Sequence, residues 1–145
     1  MRITIRTEVS QSLEKVFSAF DRNLFLKLSP PFPPVKLLRF DGCSKNDEVH
    51  LELSFVFFRQ KWVSVITENK MNDNLIYFID KGKILPFFLK NWKHKHILER
   101  IKNGTLITDD IEFNTGSIIS DVMVLPLMYI QFIYRKPVYK RYFAK

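Results

Sequence analysis

Two histidines and an aspartate are the residues of this chain whose types and spacing suggest chemistry. His94 and His96 stand two positions apart in one alternating segment, and Asp109 lies in the next. Successive residues of a strand point to opposite faces, so the three side chains share one face of a hairpin. A carboxylate beside an imidazole fixes its tautomer and sets its pKa. The arrangement is typical of a small acid–base or switch site, of a ligand contact, or of a hydrogen-bonded pair that stabilises the hairpin.

The register of this hairpin follows from the Asn-Gly pair at 103–104, which favours a tight type I′ turn. With these two residues in the loop, His96 faces Ile111 and Asp109 is the diagonal neighbour of His96. We therefore predict a His96–Asp109 pair that fixes the register of the last two strands. Asp80 is expected to accept a hydrogen bond from one of the two histidines.

Metal binding and nucleophilic catalysis have weaker support in the sequence. His-x-His alone is a weak zinc signal, because a zinc site would need Asp109 and a fourth ligand as well. No Gly-x-Ser-x-Gly elbow is present, and the four glycines are isolated, which argues against phosphate-binding and dinucleotide-binding loops. Cys43 lies in an Asp-Gly-Cys-Ser turn with no histidine near it in sequence. We predict no metal, no cofactor and no catalytic residue.

The elements that must position these residues have an α+β order. Alternating apolar residues at 3–9 predict a first strand, and helical spacing at 13–28 predicts two short helices that end before the prolines at 30–34. From 35 to 113 apolar residues recur with a period of two, which predicts six antiparallel strands. Helical spacing returns from about 120 to 143, so a terminal helix is expected to close the chain.

The terminal helix is expected to carry an apolar stripe made of Leu127, Ile130, Tyr134 and Val138. A helix over 126–143 would span roughly 27 Å at 1.5 Å per residue, enough to cross a sheet. Pro126 suits the first turn of such a helix, whereas Pro137 should kink or shorten it.

Length and composition indicate one globular domain, residues 1–145, with 46% hydrophobic residues and a net charge of +8. The basic residues are spread along the chain without a nucleic-acid-binding signature, so we predict no nucleic acid partner. The longest apolar stretch, near 122–133, is too short to cross a bilayer, so we expect no transmembrane segment. The N-terminus does not resemble a signal peptide, and a cytoplasmic location is expected.

Five spaced motifs occur in this order along the chain: Phe78-x-Asp80, Pro86-Phe87-Phe88, Trp92-x-His94-x-His96, Gly104-Thr105-x-x-x-Asp109-x-Ile111-x-Phe113 and Phe132-x-Tyr134-Arg135. Together they resemble the bacterial ligand-binding domains of the START-related SRPBCC superfamily, whose helix-grip fold includes the major birch-pollen allergen. The resemblance implies a curved seven-stranded antiparallel sheet wrapped around a long C-terminal helix. It also implies two short helices between strands 1 and 2 and an apolar cavity between sheet and terminal helix.

The function expected from this resemblance is non-catalytic binding or carriage of a hydrophobic or amphipathic small molecule in that cavity. Two alternatives remain open: an aromatase/cyclase-like enzyme that uses the same cavity, and an interaction module with a filled interior. The oligomeric state is open. The residues expected to contact the ligand are Phe55, Trp62, Phe78, Trp92, His94, His96, Asp109, Phe113, Ile130 and Tyr134.

Overall fold

The computed structural model describes residues 1–144 and shows one curved antiparallel sheet with four helices. The strands are β1 Arg2–Val9, β2 Val35–Phe40, β3 Glu48–Ser54, β4 Arg59–Met71, β5 Leu75–Ile84, β6 Asn91–Ile101 and β7 Gly104–Asn114. The helices are α1 Leu13–Ser18, α2 Arg22–Leu28, α3 Ile118–Ile133 and α4 Arg135–Tyr142. The seven strands pair in the order β1-β7-β6-β5-β4-β3-β2, and α1 and α2 follow β1. The predicted α+β helix-grip architecture is confirmed.

The terminal helix differs from the prediction in where it begins and where it breaks. It begins at Ile118, so Pro126 lies inside α3 and not in its first turn. The helical run is interrupted at Tyr134, after which α4 begins. Pro137 explains the position of the break, since a proline ring clashes with the carbonyl four residues earlier and has no N–H to donate.

The inward faces of the strands bury two separate apolar clusters. One lies under α1, α2 and α4 and contains Leu13, Val16, Leu98, Ile107 and Tyr139 among its members. The other lies under α3 and contains Ile3, Trp92, Ile111, Met128 and Phe132 among its members. Along β6 and β7 the inward side chains change from one cluster to the other at His94, His96 and Asp109. A polar band therefore crosses the sheet between two apolar clusters.

The β6–β7 hairpin has a register different from the predicted one. Ile101 pairs with Gly104, so the loop is 102–103, and His96 lies directly opposite Asp109. The reason is Gly104, which has φ +154° and lies against the Val9 carbonyl, where a Cβ would collide. This glycine is needed for the close approach of β1 and so lies in the strand. The shift is two residues, and the predicted faces of the strands are therefore preserved.

The outward face of α3 is apolar and exposed. Six of its side chains are between 48% and 72% exposed: Ile118, Ile119, Val122, Met123, Tyr129 and Ile130. By length and composition alone, the run Ile118–Tyr142 could cross a membrane, with a mean hydropathy of 1.3 in its best window. Met128 and Phe132 on the opposite face of α3 pack against the sheet, so this run is the core helix of the fold.

Candidate functional site

A cavity of about 470 Å³ lies between the concave face of the sheet and α3. This volume is within the usual range of small-molecule pockets. Most of its wall is apolar, and these side chains include Leu24, Phe25, Leu28, Val35, Val49, Leu51, Leu53, Phe55, Trp62, Ile66, Phe78, Phe88, Trp92, Val124, Leu127, Met128 and Phe132. Four polar or charged side chains from β5, β6 and α4 also reach the wall: Asp80, His94, His96 and Arg135.

Asp109 lies behind this wall and is 1% exposed. Its Oδ1 accepts a hydrogen bond from His94 Nε2 at 2.8 Å and another from Arg135 Nη1 at 3.1 Å. His96 Nδ1 lies 3.9 Å from the same oxygen, beyond hydrogen-bonding distance. The predicted His96–Asp109 pair is therefore wrong, because the actual register makes His94 the diagonal neighbour of Asp109.

Asp80 accepts two hydrogen bonds within the cluster. Trp92 Nε1 donates to its Oδ1 at 3.0 Å, and His96 Nε2 donates to its Oδ2 at 2.9 Å. The expected hydrogen bond from a histidine to Asp80 is thus confirmed. His94 Nδ1 lies 3.7 Å from Oδ2, too far for a hydrogen bond. Each histidine is consequently braced by a different carboxylate.

Ionised carboxylates only accept hydrogen bonds, so these contacts fix the imidazole tautomers. In the neutral form of each ring, the proton is therefore on Nε2 and Nδ1 carries a lone pair. Among the described residues, His96 Nδ1 and Asp109 Oδ2 are buried atoms that have no hydrogen-bond partner. Such atoms are costly in a protein interior and call for an explanation.

The electrostatics of the cluster separate its groups into charged and neutral. Burial, together with the neighbouring His94, lowers the pKa of His96 to about 4. Burial acts to raise the pKa of Asp109, but Arg135 and the His94 hydrogen bond outweigh it and hold that pKa below its usual range. Burial alone would raise the pKa of Asp80. The hydrogen bond from His96 helps to outweigh this effect, so that pKa is lowered. At neutral pH two carboxylates therefore share one guanidinium, beside a neutral His96.

The side chain of Cys43 also lines the cavity. Burial raises the pKa of its thiol to about 12, so the thiolate is scarce at neutral pH. This cysteine, expected as an incidental turn residue, is part of the wall but lacks the environment of a nucleophile.

Six of the ten residues expected to contact a ligand lie in the cavity wall: Phe55, Trp62, Phe78, Trp92, His94 and His96. Four do not. Asp109 lies behind His94, and Phe113 is buried in the apolar cluster under α3. Ile130 is on the outward face of α3 and 60% exposed, while Tyr134 packs against the cluster under α4. Contact with a ligand stays a prediction for the six.

The misplaced helix residues have a physical cause. The cavity-facing stripe of the terminal helix is Val124, Leu127, Met128, Gln131 and Phe132, followed by Arg135. These positions have the i, i+3, i+4 spacing of one helix face, and Ile130 is on another face. Between Val122 and Ile130 the helix has no charged or amide side chain that would mark its outward side, so its sequence could not show which face meets the sheet.

Two residues of the polar cluster were not expected to face the cavity. Asp80 was expected only as a hydrogen-bond acceptor, although it shares a strand face with Phe78 and period-two alternation could have placed it in the wall. The partner of Arg135 is the buried Asp109, 26 positions away in sequence, and not a neighbour on its own helix. No local sequence signal marks such a long-range pair.

Comparisons with known proteins establish the fold. No protein-family model and no curated protein sequence matches the chain. The solved di-domain ARO/CYC StfQ from the steffimycin biosynthetic pathway matches with a TM-score of 0.71 at 8% identity over 99% of this chain and 50% of that one. Protein CV1439 from Chromobacterium violaceum matches with a TM-score of 0.65 at 17% identity over 97% and 94% of the two chains.

A norcoclaurine synthase point mutant from Thalictrum, in complex with a transition state analogue, matches with a TM-score of 0.61 at 12% identity, over 88% of this chain and 82% of that one. This chain spans about half of StfQ, in keeping with the two domains of that protein. At such identities the likeness concerns the fold alone. The helix-grip fold implied by the resemblance of the five motifs is confirmed.

Proposed function

We propose that this protein binds a hydrophobic or amphipathic small molecule in the cavity between the sheet and α3 and does not transform it. The observation that carries this proposal is the cavity itself, about 470 Å³ in volume, with an apolar wall and a polar cluster in it. Burial of apolar ligand surface would supply most of the affinity, at about 25 cal/mol per Å². His96, Asp80 and Arg135 would orient a polar end of the ligand.

The chemistry of the cluster supports binding without catalysis. A general acid or base works best when its pKa lies near the operating pH. The pKa of His96 is lowered to about 4, so at neutral pH this ring can neither donate a proton readily nor act as a strong base. Asp80 and Asp109 have lowered pKa values and stay ionised. These groups are suited to hold a ligand more than to exchange protons with it.

An enzyme that acts on the bound molecule is the second candidate. It is favoured by the fold neighbours, which include an aromatase/cyclase and a norcoclaurine synthase. The third expectation, a filled interior, does not agree with the observed cavity volume. The proposal involves no nucleic acid, and the cytoplasmic location stays a prediction.

The test is native mass spectrometry of the protein purified from its native host, followed by solvent extraction. Leu51 lines the cavity, whereas Leu38 is 46% exposed on β2. The expected result is a co-purified apolar molecule with the wild type and with the control variant Leu38→Trp. The cavity-filling variant Leu51→Trp should lose that same mass. The proposal is wrong if the wild type is repeatedly empty, or if Leu51→Trp retains the molecule.

A further inference from the structure

We propose that Asp80, His94 and His96 form a binding site for a divalent transition-metal ion, with one coordination position open to the cavity. Two imidazoles and a carboxylate are the three protein ligands of several catalytic zinc sites. This inference goes beyond the binding of an apolar ligand and does not depend on it. It assigns the polar cluster a ligand of its own.

The spacing of the donor atoms fits an ion. One donor atom from each of the three residues lies within 4.8 Å of the other two. Asp80 Oδ2 is 2.9 Å from His96 Nε2 and 3.7 Å from His94 Nδ1. Ligand bonds of about 2.0 to 2.2 Å in tetrahedral geometry separate donor atoms by roughly 3.3 to 3.5 Å. The two imidazole rings are stacked with their centroids 3.6 Å apart, so they would also have to splay before both lone pairs reach one ion.

The hydrogen bonds leave a lone pair where an ion is needed. In neutral His94 the one ring proton is donated to Asp109, so Nδ1 carries a lone pair and faces Asp80 Oδ2 at 3.7 Å. In that form both atoms are acceptors. Two buried acceptors that face each other are stabilised by a cation placed between them.

Metal binding would also give partners to His96 Nδ1 and Asp109 Oδ2, two of the buried atoms that lack one. When His96 Nε2 binds the ion, its proton moves to Nδ1, which becomes a donor. That nitrogen faces the carboxylate of Asp109, whose Oδ1 is 3.9 Å away and whose Oδ2 is unpartnered. A small closure would turn this contact into a hydrogen bond. Both histidines would then donate to Asp109, as metal-bound histidines commonly do to a carboxylate.

The outer contacts are those of a supported metal site. Arg135 holds Asp109 at 3.1 Å, and Trp92 donates to Asp80 Oδ1 at 3.0 Å, so both carboxylates are oriented. The two carboxylates and one guanidinium leave one uncompensated negative charge when the imidazoles are neutral. A bound divalent ion would change the net charge of the cluster from one negative to one positive charge. The open position would then accept a hydroxide or the anionic end of a cavity ligand.

The experiment is titration of metal-free protein with Zn²⁺ by calorimetry and with Co²⁺ by visible spectroscopy. The expected result is one ion per chain with micromolar or tighter affinity and the intense visible bands of four-coordinate cobalt. Asp80→Asn keeps the size of the side chain and an acceptor for Trp92 but removes the anionic ligand. It should weaken Zn²⁺ binding at least about 100-fold, and Asp109→Asn, behind the ligands, about 10- to 100-fold.

His50 supplies the matched control, because it is the one histidine outside the cluster and pairs with Glu48 at the surface. His50→Gln should bind Zn²⁺ like the wild type, and His96→Gln replaces Asp80→Asn if the latter fails to fold by circular dichroism. Absence of Zn²⁺ binding to folded wild type would overturn the proposal. So would binding that survives in the cluster variants or is lost in His50→Gln. Leu51→Trp should still bind Zn²⁺, which separates this site from the apolar ligand.

Discussion

The imidazole rings of His94 and His96 stack with their centroids 3.6 Å apart and their planes 29° from parallel. Phe78 stacks on His96 as well, at 4.3 Å between centroids. Two imidazolium ions at the first of these distances would repel each other strongly in a buried site. The stacked pair therefore carries at most one positive charge, and its geometry is held by packing as well as by Asp80 and Asp109.

Removal of Arg135 should destabilise the fold much more than removal of a surface arginine. Arg135→Leu leaves the 1% exposed Asp109 without its cation, and loss of one partner of a buried pair costs about 3–5 kcal/mol. Arg2→Leu breaks the pair with Asp110, in which the arginine side chain is 63% exposed, and should cost much less because water screens an exposed pair. Urea unfolding of both variants measures the difference. Equal losses would contradict the buried pair.

The stability of the metal-free protein should fall as the pH is lowered from 7 to 5. His96, which faces Asp80, Asp109 and His94, has a pKa of about 4 in the folded state, against roughly 6.5 when unfolded. The unfolded chain therefore binds more protons in this window, and stability present above pH 6.5 is lost progressively toward pH 4. The expected loss between pH 7 and 5 is about 2 kcal/mol.

Urea unfolding at several pH values in the presence of EDTA checks this slope. His96→Gln should flatten it, whereas His50→Gln, which leaves the cluster intact, should keep it. A wild-type slope that persists in His96→Gln would assign the pH dependence to other groups.

Two methionines of α3 test which face of the helix meets the sheet. Met128 is 7% exposed in the cavity wall, and Met123 is 71% exposed on the outward face. Met128→Ala should lower the free energy of unfolding by about 2–4 kcal/mol. Met123→Ala should change it by less than about 0.5 kcal/mol. Thermal and urea unfolding compare the two, and the reverse order would mean that the helix is rotated.

The hairpin register can be tested at its two loop-side residues. Gly104→Ala places a Cβ against the Val9 carbonyl at a φ of +154° and should cost at least about 2 kcal/mol. Asn103→Ala should cost little, because Asn103 does not have the positive φ that a type I′ turn requires. Urea unfolding measures both variants. A large loss in Asn103→Ala would instead support the Asn-Gly turn.

The faces of the strands were predictable from the sequence, whereas the register of the hairpin was not. Period-two alternation is local, and it correctly placed His94, His96 and Asp109 on one face. The Asn-Gly signal is local as well, but the structure uses Gly104 for contact with β1, a hundred residues earlier in the chain. Long-range packing therefore decided which histidine Asp109 binds.

The polar cluster was predictable only in part for a similar reason. Asp80 belongs to a strand whose alternation is visible, so its face could be read. Arg135 continues the helix face of Met128, Gln131 and Phe132, but the sequence does not mark this face as the one that meets the sheet. The buried partner of Arg135 therefore could not be predicted.

The exposed apolar side of α3 favours association between molecules of this chain, whereas the net charge of +8 opposes it. Like charge keeps molecules apart only over a Debye length, about 10 Å at 0.1 M salt and 3 Å at 1 M. Dissolved salt screens that repulsion, but it does not weaken the attraction between the six exposed apolar side chains of neighbouring molecules. We therefore expect association to increase with ionic strength and single molecules to persist in dilute buffer.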